Sequence, residues 1–247
     1  DNLTWLLPPE RGASFYSTGG LVAVHATKLD RNEIYNSLYE REVYATSGER
    51  MLLWFNLLDD KKGVIPMGSE YLLSKNPKFE VRAIGSFIQK PGCPDYVYKA
   101  ISPEEISRLC LNECYNPGNE RHKIDRIEIV KITPTTELNF LSNNIQDPWK
   151  VFLCDDDGEG CSVTFSDDDY ALNNKSSLYY VRAIQEKTNA VGGDPLRCEL
   201  NEEGECIKIR PCYSSGPKFD PKDDCLALVG ERAWSSPIFL THPMSVY

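Results

Sequence analysis

The sequence predicts a mainly β protein with some α, in which a short N-terminal β-α-β segment precedes a disulfide-rich antiparallel β-sandwich. Three observations carry this prediction. Residues 20–48 change from an apolar run to a helical pattern and back to an apolar run. Beyond residue 50, short apolar runs recur with turn residues between them. Nine cysteines are present, and most of them fall in close pairs.

The N-terminal segment begins with the apolar run LVAV, which follows a glycine pair and is typical of a buried strand. Asp30 and Glu33 then have capping-box spacing, and Ile34 and Leu38 repeat at the helical interval i, i+4. The run EVYATSG follows as a second strand. Because a helix between two strands commonly joins parallel strands, we expect a parallel pair that needs further neighbours in a sheet.

The remainder of the chain is dominated by strand patterns. The candidate strands are RMLLWFNLL, KFEVRAIGSF, IDRIEIVKIT, WKVFLC, CSVTF, LYYVRAIQE, ECIKI and SPIFL. One helix interrupts them, with Ser102 as its N-cap, Pro103 at the first helical position and Glu105 at the third. We therefore expect two regions, a β-α-β segment over residues 1–58 and a sandwich-like region over residues 59–247.

Cysteine spacing predicts a disulfide framework. Three pairs close short loops: Cys154 with Cys161, Cys198 with Cys206, and Cys212 with Cys225. The first two pairs each bracket an acidic, glycine-containing turn between candidate strands, so we expect disulfide-clamped hairpins there. Such a framework persists in oxidising compartments, which predicts a secreted or periplasmic protein.

The other three cysteines leave two interpretations open. In the first, Cys93 is bonded to Cys110 or Cys114, and one buried thiol remains. In the second, the three thiolates bind zinc, because Cys110 and Cys114 lie one helical turn apart and Cys93 lies a short loop upstream. Three cysteines with no nearby histidine except His122 are an incomplete zinc set, which favours the disulfide.

Composition excludes two classes of partner. The formal net charge is −10, and the basic residues occur only in short mixed runs such as Arg121-His122-Lys123. Nucleic-acid binding needs clustered positive charge, so neither DNA nor RNA is expected as a partner. No apolar run reaches the roughly 18 residues that a membrane-spanning helix needs, so no membrane span is expected.

Several blocks of the sequence resemble a known family. The blocks are GGLVAVHATKLDRNEIYNSLYEREVYATSGERMLLWF, GSFIQKPGCPDYVYKAISPEEISRLCLNECYNP, IQDPWKVFLC, YYVRAIQE and ERAWSSPIF. Together they resemble the C-terminal part of the domain-of-unknown-function family 3604. That family in turn resembles the PHP (polymerase and histidinol phosphatase) metallophosphoesterases.

The resemblance implies that residues 20–48 are the last β-α-β turn of a PHP-like α/β barrel whose earlier strands lie outside this sequence. It also implies that the His, Asp and Glu motifs binding the divalent metal lie in those earlier strands. A divalent metal is thus expected in the parent protein, and no cofactor is expected in this chain.

Few residues of this chain are candidates for chemistry. His25 lies on the barrel-type strand and is a weak candidate metal ligand, although a packed strand histidine is the simpler interpretation. Asp155 and Asp157 form one acidic turn, and Asp168 belongs to a second one, so the two loops would form a calcium cage if they converged. Solvated turn carboxylates are the alternative. Two N-glycosylation sequons begin at Asn2 and Asn174.

Two functions from different classes follow. The chain is either the accessory and barrel-closing portion of a secreted, metal-dependent phosphoesterase-like protein, without activity alone, or an extracellular β module that assembles with itself or holds a ligand such as a glycan. The expected partner is accordingly a missing N-terminal barrel half, or a second copy that pairs with exposed strands.

Overall fold

The computed structural model describes residues 19–111, 114–134, 144–155, 158–191, 196–211, 217, 220, 222–223 and 226–245. Within these residues the helices are α1 (Arg31–Tyr39), α2 (Asp95–Ala100), α3 (Pro103–Cys110) and α4 (Tyr170–Asn173). The strands are β1 (Leu21–Val24), β2 (Val43–Thr46), β3 (Leu52–Asp59), β4 (Gly63–Pro66), β5 (Glu70–Leu72), β6 (Lys78–Ile84), β7 (Phe87–Pro91), β8 (Tyr115–Arg121), β9 (Ile124–Ile132), β10 (Ile145–Leu153), β11 (Cys161–Ser166), β12 (Ser177–Val191), β13 (Glu199–Leu200), β14 (Cys206–Lys208), β15 (Leu226–Ser235) and β16 (Ile238–Thr241).

The larger sheet is built around β12, its longest strand. One edge of β12 pairs with β9, and β9 pairs with β10. Along the other edge, residues 182–191 pair with β15 and residues 177–179 pair with β16. β15 continues to β2 and then β1, whereas β16 pairs in parallel with β5. All the other described strand pairs are antiparallel.

The smaller sheet has the order β11-β6-β3-β4 and packs face to face on the larger one. Burial alternates along β3, as expected of a strand with one face on the core. Phe79 of β6 illustrates the contact between sheets, because its ring lies 4.8 Å from that of Tyr179 on β12. Inward-facing residues of both sheets form one core cluster, so the predicted mainly β, antiparallel architecture is confirmed.

The N-terminal segment differs from the expected parallel unit. β1 and β2 pair antiparallel, with Val24 opposite Val43. The N–H of His25, directly after β1, donates to the carbonyl of Glu42, directly before β2, at 2.9 Å. A parallel crossover returns the chain to the beginning of the first strand, whereas here α1 is an insertion between adjacent strand ends. Arg41 turns the chain at the end of the helix with a φ of 63°.

The N-terminal segment also has more strand neighbours within this chain than the sequence predicted. β2 has β1 on one edge and β15 on the other, so its backbone groups are paired within this chain. β1 lies at the edge of the sheet, and Val22 is 65% exposed. The expected boundary between residues 58 and 59 falls inside β3, and the strands on both sides of it belong to the same two sheets.

Three cysteine pairs lie at disulfide distance in the described residues. Cys198 and Cys206 connect the short antiparallel pair of β13 and β14, as predicted for a hairpin. Cys154 and Cys161 are bonded as predicted, but they do not clamp a hairpin. β10 belongs to the larger sheet and β11 to the smaller one, so this bond links the two sheets. These pairs fit an extracellular protein.

The disulfide observed among Cys93, Cys110 and Cys114 differs from the predicted one. Cys110 is bonded to Cys114, and Cys93 carries a free thiol. Leu111, directly after α3, has the left-handed conformation, and the Cα atoms of Cys110 and Cys114 lie 5.2 Å apart. The expected bond between Cys212 and Cys225 lies outside the described residues. None of the helices among the described residues is long and apolar enough to cross a membrane.

A protruding element, called the arm below, comprises residues 87–121. β7 and β8 form an antiparallel pair, and α2 and α3 are inserted between them. Ser102 caps α3 by accepting a hydrogen bond from the N–H of Glu105 at 3.3 Å, as the sequence predicts. The arm joins the sandwich through the short connections before β7 and after β8.

Candidate ligand-binding cleft

A cleft of about 540 Å³ lies where the arm meets the sandwich. Its lining comes from β6, β7, β8 and β12 and from the loops that precede β9 and β11. Six charged residues contribute to the lining: Arg82, Glu120, Arg121, Lys123, Glu159 and Glu186. Cations and carboxylates are therefore equally represented on its walls.

Two arginines of the cleft are positioned by aromatic rings. The guanidinium carbon of Arg121 lies 3.7 Å from the centre of the Phe87 ring, and its Nη1 donates to the carbonyl of Gly85 at 2.7 Å. The guanidinium carbon of Arg82 lies 5.4 Å from the Trp54 ring centre. Stacking of this kind restrains a guanidinium while leaving some of its N–H groups available to a ligand.

Glu186 fixes the floor of the cleft. One of its carboxylate oxygens accepts the backbone N–H of Lys123 at 3.2 Å and lies 3.0 Å from Nδ1 of His122. The backbone N–H of His122 donates to the carbonyl of Ser86 at 2.9 Å. The chain crosses so closely here that a Cβ on Gly85 would lie 1.8 Å from the carbonyl oxygen of His122, which requires glycine.

The cleft can offer both donors and acceptors to a ligand. Arg82 and Lys123 are exposed, and within the described part of the chain neither forms an ion pair. Guanidinium and carboxylate groups each bind a pair of neighbouring polar atoms with defined geometry. A ligand rich in hydroxyl groups would meet both donors and acceptors in this lining.

A second polar cluster is buried between the sheets. Nζ of Lys131 on β9 forms an ion pair with Asp167, and the Tyr179 hydroxyl donates to the same carboxylate. Asp167 is 1% exposed and Lys131 is 8% exposed. Burial, followed by the hydrogen bond to Asp167, raises the pKa of Tyr179 and keeps it neutral. This cluster ties β9 and β12 to the end of β11.

The candidate metal ligands of the sequence are not brought together. Nε2 of His25 lies 2.9 Å from the carbonyl oxygen of Leu53, and its ring packs beside Tyr44 and Trp54. Across the residues that the structure covers, the one group of three potential metal ligands within reach of each other is Cys93, Cys110 and Cys114. The residues described here therefore do not fit a His and carboxylate metal site of the PHP type.

The two acidic turns are also separate. Asp155 precedes β11 and Asp168 follows it, so a strand of six residues lies between them. Such a strand is roughly 20 Å long, too far for one shared calcium ion. Asp157 lies outside the described residues, as does the sequon at Asn2. Asn174 is exposed in a turn after α4, where its Nδ2 donates to the Leu172 carbonyl at 3.3 Å.

Sequence reasoning missed the cleft and the buried cluster. Arg121 and Lys123 were visible only as part of a short basic run, and Arg82 as one polar position in an alternating strand. Lys131 gave one usable signal, because a lysine within IDRIEIVKIT falls next to two apolar residues rather than on a polar face. No sequence signal pointed to its partner, Asp167.

Comparison with known proteins yields one match. The model of a family described as "Protein of unknown function (DUF3604)" matches residues 9–85, which is less than half of the chain. This supports the family resemblance over that segment, which includes β1 to β6 and α1. No curated protein matches the chain. No solved structure matches it.

Proposed function

We propose that this chain is an extracellular accessory β module that holds a hydroxyl-rich ligand, such as a glycan, in the cleft between the arm and the sandwich. The observation that carries the proposal is the mixed lining of the cleft, in which Arg82, Lys123 and Glu186 face one space. Disulfides between and within the sheets support a setting outside the reducing cytosol, either secreted or periplasmic.

Two features favour recognition of a polar polymer over an apolar compound. Charged side chains make up more than half of the lining residues, and both donors and acceptors are among them. Apolar ligands prefer enclosed pockets with few polar groups, whereas this cleft is open to solvent. An open cleft of this kind can hold a short stretch of a longer polymer.

The test is binding of the purified chain to an array of oligosaccharides, followed by calorimetry with any hit. Binding should be lost in the Arg82→Ala, Lys123→Ala double variant. Lys28→Ala is the matched control, because Lys28 is an exposed cation outside the cleft. Absence of any hit, or a hit that the double variant binds as well as the parent chain, would contradict the proposal.

A second candidate function rests on the family match over residues 9–85. In this reading the chain is the accessory, barrel-closing portion of a PHP-like, metal-dependent phosphoesterase whose divalent metal and ligands reside in another segment. The chain alone should then hydrolyse model phosphoesters no faster than buffer, with or without manganese or zinc. Metal-dependent turnover that survives repurification and disappears in His25→Ala would refute this.

The two candidate functions also differ in the partner that they predict for the edge of β1. The outer edge of β1 has no strand partner among the described residues, and Val22 beside it is exposed. This edge would receive either the N-terminal barrel half or a second copy by strand addition. Native mass spectrometry of the protein from its source distinguishes a bound fragment from a homo-oligomer. A monomer at micromolar concentration would count against either partner at the β1 edge.

A further inference from the structure

Three sulfur atoms lie together at the end of the arm. Sγ of the free thiol Cys93 is 3.5 Å from Sγ of Cys110, and Cys110 is bonded to Cys114. All three sulfurs fall within 4.8 Å of one another. A thiol in contact with a disulfide sulfur is the arrangement from which thiol–disulfide exchange proceeds.

Backbone contacts hold Cys93 in this place. The N–H of Gly92 donates to the carbonyl of Cys114 at 2.7 Å, and Nδ2 of Asn116 donates to the carbonyl of Gly92 at 2.9 Å. The N–H of Cys93 itself donates to the Tyr98 hydroxyl at 3.1 Å. Hydrogen bonds to the backbone of residues 92 and 93 therefore fix the position of the Cys93 thiol next to the disulfide.

We propose that Cys93, Cys110 and Cys114 form a thiol–disulfide exchange site in which Cys110 is the shared sulfur. The Cys93 thiol loses its proton to solvent, and the thiolate attacks Sγ of Cys110. The bond between Cys110 and Cys114 breaks, its electron pair leaves on Sγ of Cys114, and that thiolate takes a proton from solvent. One disulfide and one thiol are present before and after, so the step needs no oxidant or reductant.

Cys110 is suited to remain bonded in both states. It is the last residue of α3, and the C-terminal end of a helix carries partial negative charge that disfavours a thiolate. Cys93 and Cys114 lie outside the helix, and the sulfur of Cys110 is bonded to that of Cys114 while it contacts that of Cys93. All three cysteines are half-buried, and a cavity of about 430 Å³ beside them gives solvent access.

Exchange would change how the arm is tied together. The bond in the structure closes a short loop between the end of α3 and the start of β8. The exchanged bond would instead tie α3 to the segment after β7. The arm would then present a free thiol at Cys114, where it could form a mixed disulfide with an external thiol-bearing molecule.

Differential alkylation tests the proposal on the native protein. The protein, purified without reductant and equilibrated in mildly alkaline buffer, is labelled with iodoacetamide, digested without reduction and mapped by mass spectrometry. We expect two species, one labelled on Cys93 with Cys110 bonded to Cys114, and one labelled on Cys114 with Cys93 bonded to Cys110. Label on Cys93 alone, label on Cys110, or three thiols with one zinc ion per chain would each overturn the proposal.

Two variants sharpen the result. Cys93→Ser should abolish the labelling of Cys114, because the attacking thiol is absent. Cys114→Ser, after air oxidation in which dissolved dioxygen takes up the two electrons, should lose the labelling of Cys93, because Cys93 and Cys110 are then the one pair of thiols in contact in the arm. Full labelling of Cys93 in Cys114→Ser would overturn the proposal, and the mapping of the native protein remains decisive if either variant fails to fold.

Discussion

The sandwich buries Leu53, Phe55 and Phe79 completely, whereas Ile106 is the one buried residue among the described residues of the arm. In the sandwich, β6 alternates between exposed and buried positions, but all five residues of β7 in the arm are exposed. Burial of apolar side chains therefore stabilises the sandwich. The arm is stabilised mainly by hydrogen bonds between its own residues and by the disulfide between Cys110 and Cys114. The two regions should respond differently to the same kind of change.

Removal of a large aromatic side chain should give the largest difference in unfolding free energy between the sandwich and the arm. Phe79→Ala should lower the free energy of unfolding by about 3–5 kcal/mol, because Phe79 is fully buried and contacts Phe55, Phe165 and Tyr179. Chemical denaturation measures the loss.

Phe87→Ala in the arm is the matched control. Phe87 is 37% exposed, and its main contact is with Arg121, so the free energy of unfolding should fall by only about 1 kcal/mol or less. Equal losses in the two variants would show that the arm is part of the same cooperative core.

The buried ion pair offers the next largest effect. Lys131→Met leaves the Asp167 carboxylate without its cation between the sheets, and should cost about 3 kcal/mol in unfolding free energy. The double variant Lys131→Met, Asp167→Asn removes the uncompensated charge and should regain part of this loss. A double variant as unstable as the single one would contradict a charge-based cause.

Loss of a disulfide should depend on what the bond connects. Replacing Cys154 and Cys161 by serine removes a link between the sheets and should cost about 2–3 kcal/mol, as expected for a short loop. Replacing Cys198 and Cys206 alters an exposed hairpin and should leave the main thermal transition almost unchanged. Calorimetry compares the two double variants, and equal shifts would contradict the distinction.

The smallest predicted effect concerns acid stability at the turn between β3 and β4. Hydrogen bonds from the backbone N–H groups of Lys62 and Lys61 lower the pKa of Asp59 below its ordinary value of 3.8, and Lys75 adds to this. A lowered folded pKa gives stability that is present at neutral pH and is lost as the pH falls through the folded pKa. Asp59→Asn should thus be slightly less stable at neutral pH and less sensitive to acid.

Asp60→Asn is the control for this prediction. The Asp60 side chain is 91% exposed and binds Lys75 at the surface, so its replacement should leave the acid sensitivity of unfolding nearly intact. Urea denaturation at a series of acidic pH values compares both variants with the parent chain. Parallel curves for Asp59→Asn and the parent would contradict the role of Asp59.

Much of the fold could be predicted from the sequence because strand and helix signals are local. All eight candidate strands were found, and Asp30 caps α1 by accepting hydrogen bonds from the N–H groups of Asn32 and Glu33. The direction of β2 could not be predicted, since it depends on where the chain re-enters the sheet. Cys154 and Cys161 were paired correctly, but their strands enter different sheets, which no local pattern records.

The cleft was beyond prediction for a related reason. Arg82, Lys123 and Glu186 come from distant parts of the sequence and meet only because β6, β8 and β12 converge at the base of the arm. Taken singly, each of these charged residues is of a type that is common on the surface of any protein. The prediction that Cys93 is bonded to Cys110 or Cys114 was wrong, because the left-handed turn at Leu111 brings Cys114 back to Cys110.

The pairing of β2 with β15 bears on how the protein acquires its structure. Tyr44 lies opposite Ser235, so strands near the two ends of the described chain are neighbours in one sheet. Contacts between residues so far apart in sequence form slowly. During synthesis β3 can meet β6 soon after both leave the ribosome, but β1 and β2 have no sheet to join until β15 emerges. β1 and β2, although translated before β3, are therefore among the last of the described strands to reach their native neighbours, and until then their unpaired edges are exposed to aggregation.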